Sequence, residues 1–368
     1  MTGWGSIHMD TSSVDLWRSQ GKPGARVLWD MVEGPMPRGL IGVGDPDLHH
    51  LDGTWTLFLG GFTTRFRNRL YRATLAEHAD PASGRWQLDR DVRGRAAPLV
   101  ADPPRGAWDA GGMHTPCYVP ANNGRAARIY YSGRASSKQY GAGSSYSIGV
   151  LERREGGWVR RESPVVEGHG SRSSVLEPRV IPTGTGYRMW YQATPHEIGP
   201  GEQPDYRILC SDSADGITDW SAPRVFADES EGFFDNALTR WNGRWVMLLA
   251  RGSNLHGTPD FPAQGLWWMT ADQPSADRSA WSPPRRLLDT DAADTPEWFA
   301  RGTYAPELTF PDPSSTRSTI LFTATRRTPR WPWLALRRMA RLHRPPVPAP
   351  FHLAVGSVAL ELDPTAPD

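Results

Sequence analysis

The chain has 368 residues, 41 basic against 40 acidic, and a formal net charge of +1, so no overall field points to nucleic acid or an acidic partner. It carries 37 Gly, 34 Pro and 17 Trp, a mixture that breaks long helices and suits many short strands joined by turns. The length is ample to bury a core, and all-β propellers and barrels run long as single domains. Lys22 and Lys138 are the only lysines, which reads as the codon bias of a GC-rich genome rather than as chemistry.

Met1–Gln20 holds no apolar stretch of the secretory kind. No window approaches the ~20 apolar residues of a membrane span, and no Asn-x-Ser/Thr sequon occurs. Together these predict a soluble cytoplasmic protein. Cys117 and Cys210 are too few for a disulfide framework or a thiolate metal site; both read as small buried strand residues.

The remainder is organised by repetition. Five times the chain passes a short polar-Pro motif, an apolar strand, a Gly turn and a second strand rich in Trp or Tyr. The first copy runs from Asp45-Pro46-Asp47 to Thr54–Phe58, and the second from His114-Thr115-Pro116 to Arg128–Gly133. The third runs from Glu177-Pro178-Arg179 to Tyr187–Tyr191, the fourth from Asp235-Asn236 to Arg244–Leu249, and the fifth from Ala305-Pro306-Glu307 to Ser318–Thr323. Asp52-Gly53 and Asn242-Gly243 predict two-residue hairpins, because type I′ turns need φ > 0 at both positions. Copies three and four close on turns with Asp and Trp, Ser213–Ser221 and Ala280–Pro284. The pattern predicts an all-β chain: a five-bladed β-propeller of four-stranded antiparallel blades, one domain over residues 1–368, with blade heads near 45, 114, 177, 235 and 307. Residues 1–40 are expected to complete blade five and close the ring.

Residues 326–350 break the pattern. They are rich in Arg and Pro, carry Trp331 and Trp333, and predict a short helix over Leu334–Leu342. A basic amphipathic helix can rest on a membrane, but an inserted solvated loop is the commoner case, so membrane contact is not expected.

In a propeller the innermost strands begin at one mouth of the axial channel, so their heads converge. That would gather Asp45, His114, Glu177, Asp235 and Glu307. Crowded carboxylates push one another's pKa values apart, which makes one a proton donor and another an acceptor, and glycoside cleavage needs such a pair. Trp108, Asp109, Phe234, Trp298 and Tyr304 lie just before blade heads and read as rim residues that stack on a sugar or pack between blades. His114 reads as a substrate contact or a structural histidine. Arg179 and Arg301 read as partners of the carboxylates or of an anionic substrate group. His49 and His50 are adjacent in a strand and face opposite ways, which speaks against a histidine-based catalytic metal. No motif calls for a cofactor.

The Gly-Asp-Pro-Asp opening, the Glu-Pro-Arg head of blade three and the Ser-x-Asp-Gly-x-x-x-Trp close resemble the five-bladed glycosidases. These are glycoside hydrolase family 43 and its relatives in families 32, 68, 117 and 130. The resemblance spans roughly 40–362 through repeat layout more than any long motif. It implies a glycosidase acting on a furanose or related sugar, a small-molecule or oligosaccharide substrate, and a central Ca²⁺ or water under the sugar. It assigns Asp45 as general base, Glu177 as pKa modulator and Asp235 as general acid. The chain departs from the family in having Glu where it usually has Asp, and Asp where it has the acid Glu. Each swap displaces a carboxyl by about one methylene, and catalysis tolerates little misplacement. Glu177 as the acid, a biosynthetic transferase, lyase or cyclase, and a non-catalytic sugar-binding propeller therefore stay open.

Overall fold

In a computed structural model the structure describes residues 15–363, apart from 83, 123, 139, 170–171, 252–253, 255–261, 313, 328–330 and 343–351. A helix α1 (Leu16–Ser19) and a strand β1 (Arg26–Asp30) come first. Blade one follows as β2 (Leu40–Leu51), β3 (Thr54–Thr63), β4 (Asn68–Ala76) and β5 (Gln87–Leu88). Blade two is β6 (Gly112–Val119), β7 (Arg128–Arg134), β8 (Ser147–Arg154) and β9 (Gly157–Arg160). Blade three is β10 (Ser174–Pro182), β11 (Tyr187–Thr194), β12 (Arg207–Ser213) and β13 (Arg224–Ala227). Blade four is β14 (Asp235–Trp241), β15 (Arg244–Arg251), β16 (Gly265–Ala271) and β17 (Arg285–Asp289). Blade five is β18 (Thr303–Thr309), β19 (Arg317–Thr325) and β20 (Leu353–Glu361), with β1 as its outer strand.

Each blade is an antiparallel meander, and the predicted hairpin turns form. Asp52 and Gly53 take φ 50° and 72°, and Asn242 and Gly243 take 43° and 81°, the left-handed pair that matches the strand twist. The sheets of blades one and two are joined by one parallel ladder pair, Asn68 with Gly112. The inner strands β2, β6, β10, β14 and β18 contact in that order, and β18 returns to β2. β1 pairs with β20, Arg26 opposite Ser357, so the N-terminal region does supply the outer strand of blade five.

The core is a ring of seams between neighbouring blades. Strands are apolar on both faces because each face meets a different neighbour. In β15, Val246, Leu248 and Ala250 pack with blade five, while Met247 and Leu249 pack with blade three. In β7, Tyr130 joins the seam with blade three, and Ile129 and Tyr131 join the seam with blade one. Leu57 and Leu59 meet Leu321 and Val355 across the seam of blades one and five. The Ser213–Ser221 close is a turn clamp: Asp215 Oδ1 accepts from the N–H groups of Ile217 and Thr218, and Gly216 carbonyl accepts from the Tyr130 hydroxyl of blade two.

The insertion between β19 and β20 contains α2 (Trp331–Leu342), which begins before the predicted Leu334; the proline at 332 suits a first helical turn, where its missing N–H costs nothing. No helix among the described residues is long and apolar enough to cross a membrane.

Trp298 lies in the seam of blades four and five, stacked on Phe322 with ring centroids 5.2 Å apart and edge-on to Phe299 at 4.6 Å. Trp298→Ala is expected to cost about 3–5 kcal/mol in urea denaturation, as for other buried aromatic truncations; a cost below about 1 kcal/mol would show that this seam does not hold the blades.

Candidate active site

Four of the five inner strands carry the same irregularity. Asp45, Thr115, Glu177 and Ala305 adopt φ of 56°, 49°, 54° and 40°, each precedes a proline, and each sits where the pairing with the next strand slips. This is a bulge with a left-handed residue, a device that re-aims a side chain. Asp tolerates that conformation; Thr, Glu and Ala take it under strain of the kind found at functional sites. Blade four lacks both proline and bulge, and β14 pairs with β15 without a slip.

A bulge leaves its own N–H outside the ladder, and in each case the preceding blade accepts it. Asp45 donates to Thr323 Oγ1 at 2.7 Å, and Thr115 to Asp45 Oδ2 at 3.2 Å. Glu177 donates to Ser132 Oγ at 2.8 Å, and Ala305 to Asp235 Oδ2 at 2.7 Å. Sequence spacing set His114 and Glu307 level with Asp45; the residues at that level are Thr115 and Ala305. Glu307 is two residues deeper along its strand, level with Asp47, Cys117 and Arg179.

Two tiers result. The upper tier brings together Asp45, His114, Glu177 and Asp235, from four blades. His114 Nδ1 pairs with Thr115 Oγ1 at 2.6 Å and lies 3.5 Å from Asp45 Oδ2 and 3.9 Å from Glu177 Oε1. Burial, with the charges of Asp235 and Asp45, pushes the Glu177 carboxyl well above its ordinary range. Burial, and then Asp45 against the backbone donor of Ala305, raises Asp235 to about 7. The side chains of Asp45 and Glu177 are 22% and 6% exposed, so Asp45 is the one that meets solvent. Glu177 Oε2, His114 Nε2 and both amide atoms of Asn236 and Gln192 are buried without a protein partner. Buried polar atoms left unpaired call for an explanation.

The wall is aromatic. Tyr146 stands edge-on to His114 at 5.0 Å, Tyr206 contacts Phe234 at 4.5 Å, and Phe234 contacts Tyr304 at 5.5 Å. All four are half-buried. Burial and the proximity of Tyr146, Tyr304, Glu177 and Asp235 push the Tyr206 hydroxyl well above its usual value. Tyr146 and Tyr206 escaped the sequence reading because they stand in loops ahead of third strands; the spacing from head to third strand was the available signal.

The lower tier is an ion cluster. Arg179 Nη1 and Nη2 donate to Asp47 Oδ1 and Glu307 Oε2, each at 3.0 Å, and Nε reaches Asn236 carbonyl at 3.4 Å. His49 Nε2 lies 3.0 Å from Asp47 Oδ2, which also accepts the Tyr118 N–H at 2.7 Å. Although burial opposes it, His49, Arg179 and that N–H hold Asp47 below its ordinary range. Burial raises Glu307 to about 7 even with Arg179 beside it. Arg179 is thus engaged by the protein rather than offered to an anionic substrate, and Glu307 belongs to this cluster rather than to the funnel wall. A central Ca²⁺ does not fit here, since a hard cation needs six to eight oxygen ligands and the guanidinium already spans both carboxylates.

Three expected rim residues also stand elsewhere. Trp298 is core, as described. Asp109 is fully buried and accepts from Arg160 at 2.6 Å twice and from Tyr131 hydroxyl at 2.7 Å. Trp108 stacks on Tyr131 at 5.8 Å, with its indole N–H on Glu162 carbonyl. Asp109 and Trp108 clamp blade two, because a buried carboxylate at a blade seam must find cationic donors. His49 and His50 do diverge, His50 turning to Trp55.

Solved structures share this architecture. A glycoside hydrolase superposes with a TM-score of 0.58 at 11% identity, over 93% of this chain and 94% of that one. A thermostable family-43 glycoside hydrolase gives 0.56 at 14%, over 91% and 93%. The α-L-arabinofuranosidase of Podospora anserina in complex with cellotriose gives 0.52 at 13%, over 89% and 94%. The chain has the fold of the propeller glycosidases. No family model matches it, and no curated protein matches its sequence.

In this propeller the raised carboxyls carry a stability signature. A carboxyl with a higher pKa folded than unfolded binds protons on folding, so it stabilises below its unfolded pKa and loses that contribution as pH rises through the folded value. For Asp235 the window runs from 3.8 to about 7. Asp235→Asn, which keeps an oxygen for the Ala305 N–H, is expected to gain stability relative to wild type at about pH 8 compared with about pH 4. Urea denaturation at the two pH values measures it; an unchanged difference would show that Asp235 titrates normally.

Proposed function

We propose that the protein cleaves a glycosidic bond, of a furanose or related sugar, by carboxylate acid/base catalysis in the funnel. The observation that carries this reading is three carboxyls from three blades, Asp45, Glu177 and Asp235, set against one another's charge inside an aromatic wall. The wall of Tyr146, Tyr206, Phe234 and Tyr304 gives faces on which a sugar ring stacks. Asp45, His114 and Glu177, the first of them the most open to solvent, give its hydroxyls polar partners. Glycosidase neighbours, one of them an arabinofuranosidase, support the reaction class.

The roles follow from surroundings. Burial and the charges of Asp235 and Asp45 hold the proton on Glu177, whose Oε2 has no protein partner, so it donates to the departing glycosidic oxygen. Asp45, the most solvent-open of the three and held by the Thr115 N–H, attacks the anomeric carbon or activates the water that does. Asp235, whose charge raises the Glu177 carboxyl, helps to keep the Glu177 proton in place. This exchanges the roles that the family resemblance gave Glu177 and Asp235, because Glu177 has the longer side chain and the poorer set of donors.

Asp45 and Asp235 each also accept the bulge N–H of the next blade. Those bonds would persist in a propeller that binds sugar without turning it over, which is the second reading. Turnover of a panel of aryl furanosides and pyranosides separates the two. Glu177→Gln should lower kcat by about 10²–10⁴-fold on poor leaving groups and much less on nitrophenyl leaving groups, which need no proton. The alkaline limb of its pH–rate profile, well above the ordinary carboxylate range in wild type, should disappear. Asp45→Asn should lose turnover with both leaving groups. Sugar binding with no turnover in wild type would favour the second reading.

A further inference from the structure

The end of the ring at which the funnel carboxyls lie carries two exposed apolar projections on neighbouring blades. Thr323 of β19 pairs with Tyr304 and accepts the Asp45 N–H, so the insertion that leaves β19 after Thr325 springs from the bulge end of blade five. Its helix α2 is fixed by buried Leu334 and by Arg337, which pairs with Glu33 and lies 3.6 Å from Glu297. That leaves Trp333, Leu336 and Met339 exposed by 63%, 60% and 51%. Residues three apart share a helix face, so these form one apolar stripe. On blade one, Leu40 pairs with Thr63, which puts the 63–67 hairpin at the same end. Its tip is Arg65-Phe66-Arg67, where Phe66 holds φ 57° and is 44% exposed. Phe62, beside that hairpin, and Leu353, where the insertion returns, pack in one cluster with Met31, so the two projections are neighbours.

The insertion itself carries charge of one sign, although Glu33 and Glu297 meet its Arg337 and Asp102 lies 3.8 Å from Arg67. No Asp or Glu occurs between Asp312 and Glu361, whereas Arg327, Arg337, Arg338 and Arg341 flank the stripe in sequence. An exposed Trp/Leu/Met stripe and a Phe tip, each bordered by arginine, match a surface that is apolar within and anionic at its edge. We propose that this face docks on an anionic phospholipid bilayer, with the funnel mouth turned toward the lipid. The sequence alone favoured a solvated loop; the failure of the apolar residues to pack on the propeller reverses that expectation. The inference is independent of the glycosidase reading.

Co-sedimentation of the full chain with phosphatidylglycerol–phosphatidylcholine vesicles, against pure phosphatidylcholine, tests it. Wild type should bind the anionic vesicles only, and binding should fade at high salt as screening shortens. Trp333→Glu with Leu336→Glu, and separately Phe66→Glu, should each weaken binding about tenfold or more with an unchanged melting temperature. No binding by wild type, equal binding to both vesicles, or binding that survives both variants would overturn the proposal. So would concentration-dependent self-association that the Trp333→Glu change abolishes, which would make a second copy the occupant of the stripe.

Discussion

The guanidinium of Arg179 is the contact on which the centre of the ring depends. Standing on blade three, it reaches Asp47 of blade one, Glu307 of blade five and the backbone of blade four. Asp47 in turn accepts a backbone N–H of blade two. All five blades therefore meet through one cation and its acceptors. Its geometry is exacting, because a buried carboxylate left without its partner costs about 3–5 kcal/mol. Arg suits this position where Lys would not, since its fork presents separate N–H groups to acceptors on different sides.

The upper tier rests on that floor. With Asp47 and Glu307 held by Arg179 below, the charges of Asp45 and Asp235 act on Glu177, and that of Asp45 on Asp235. The bulges complete the arrangement: each swings a residue toward the axis and hands its N–H to the blade before it. Asp45 and Asp235 thus serve both the ring and the site. A substitution at either would need reading in both registers, whereas Glu177, whose side chain holds no bulge N–H, reports chiefly on the site.

Much of this was legible in the residues. Repetition gave the blade order, Asp52-Gly53 and Asn242-Gly243 gave hairpins that form as read, and Asp45, Glu177 and Asp235 do converge. The phase of two strands was not legible from the charged residue alone. A left-handed bulge adds one residue to a strand without marking itself by composition, so His114 and Glu307 looked level with Asp45. The prolines were the better ruler: aligning Pro46, Pro116, Pro178 and Pro306 places Thr115 and Ala305 at the bulge and sends Glu307 down to Arg179. Trp108, Asp109 and Trp298 misled for a different reason. Seams between blades consume large aromatics and paired charges as readily as a rim does, and only three-dimensional packing tells the two apart.

The pairing of β1 with β20 also bears on how the molecule comes into being. Arg26 meets Ser357, so the outer strand of blade five is made before the other four blades and its partner after them. During synthesis on the ribosome β1 has to wait unpaired while four blades emerge and stack. Until β20 arrives, the seam joining blades one and five stays open, and its edge is available to any other strand. Contacts of such long range make folding slow. The vulnerable interval in this protein's folding is therefore the one before β20 is made, when a nearly complete ring still lacks its clasp.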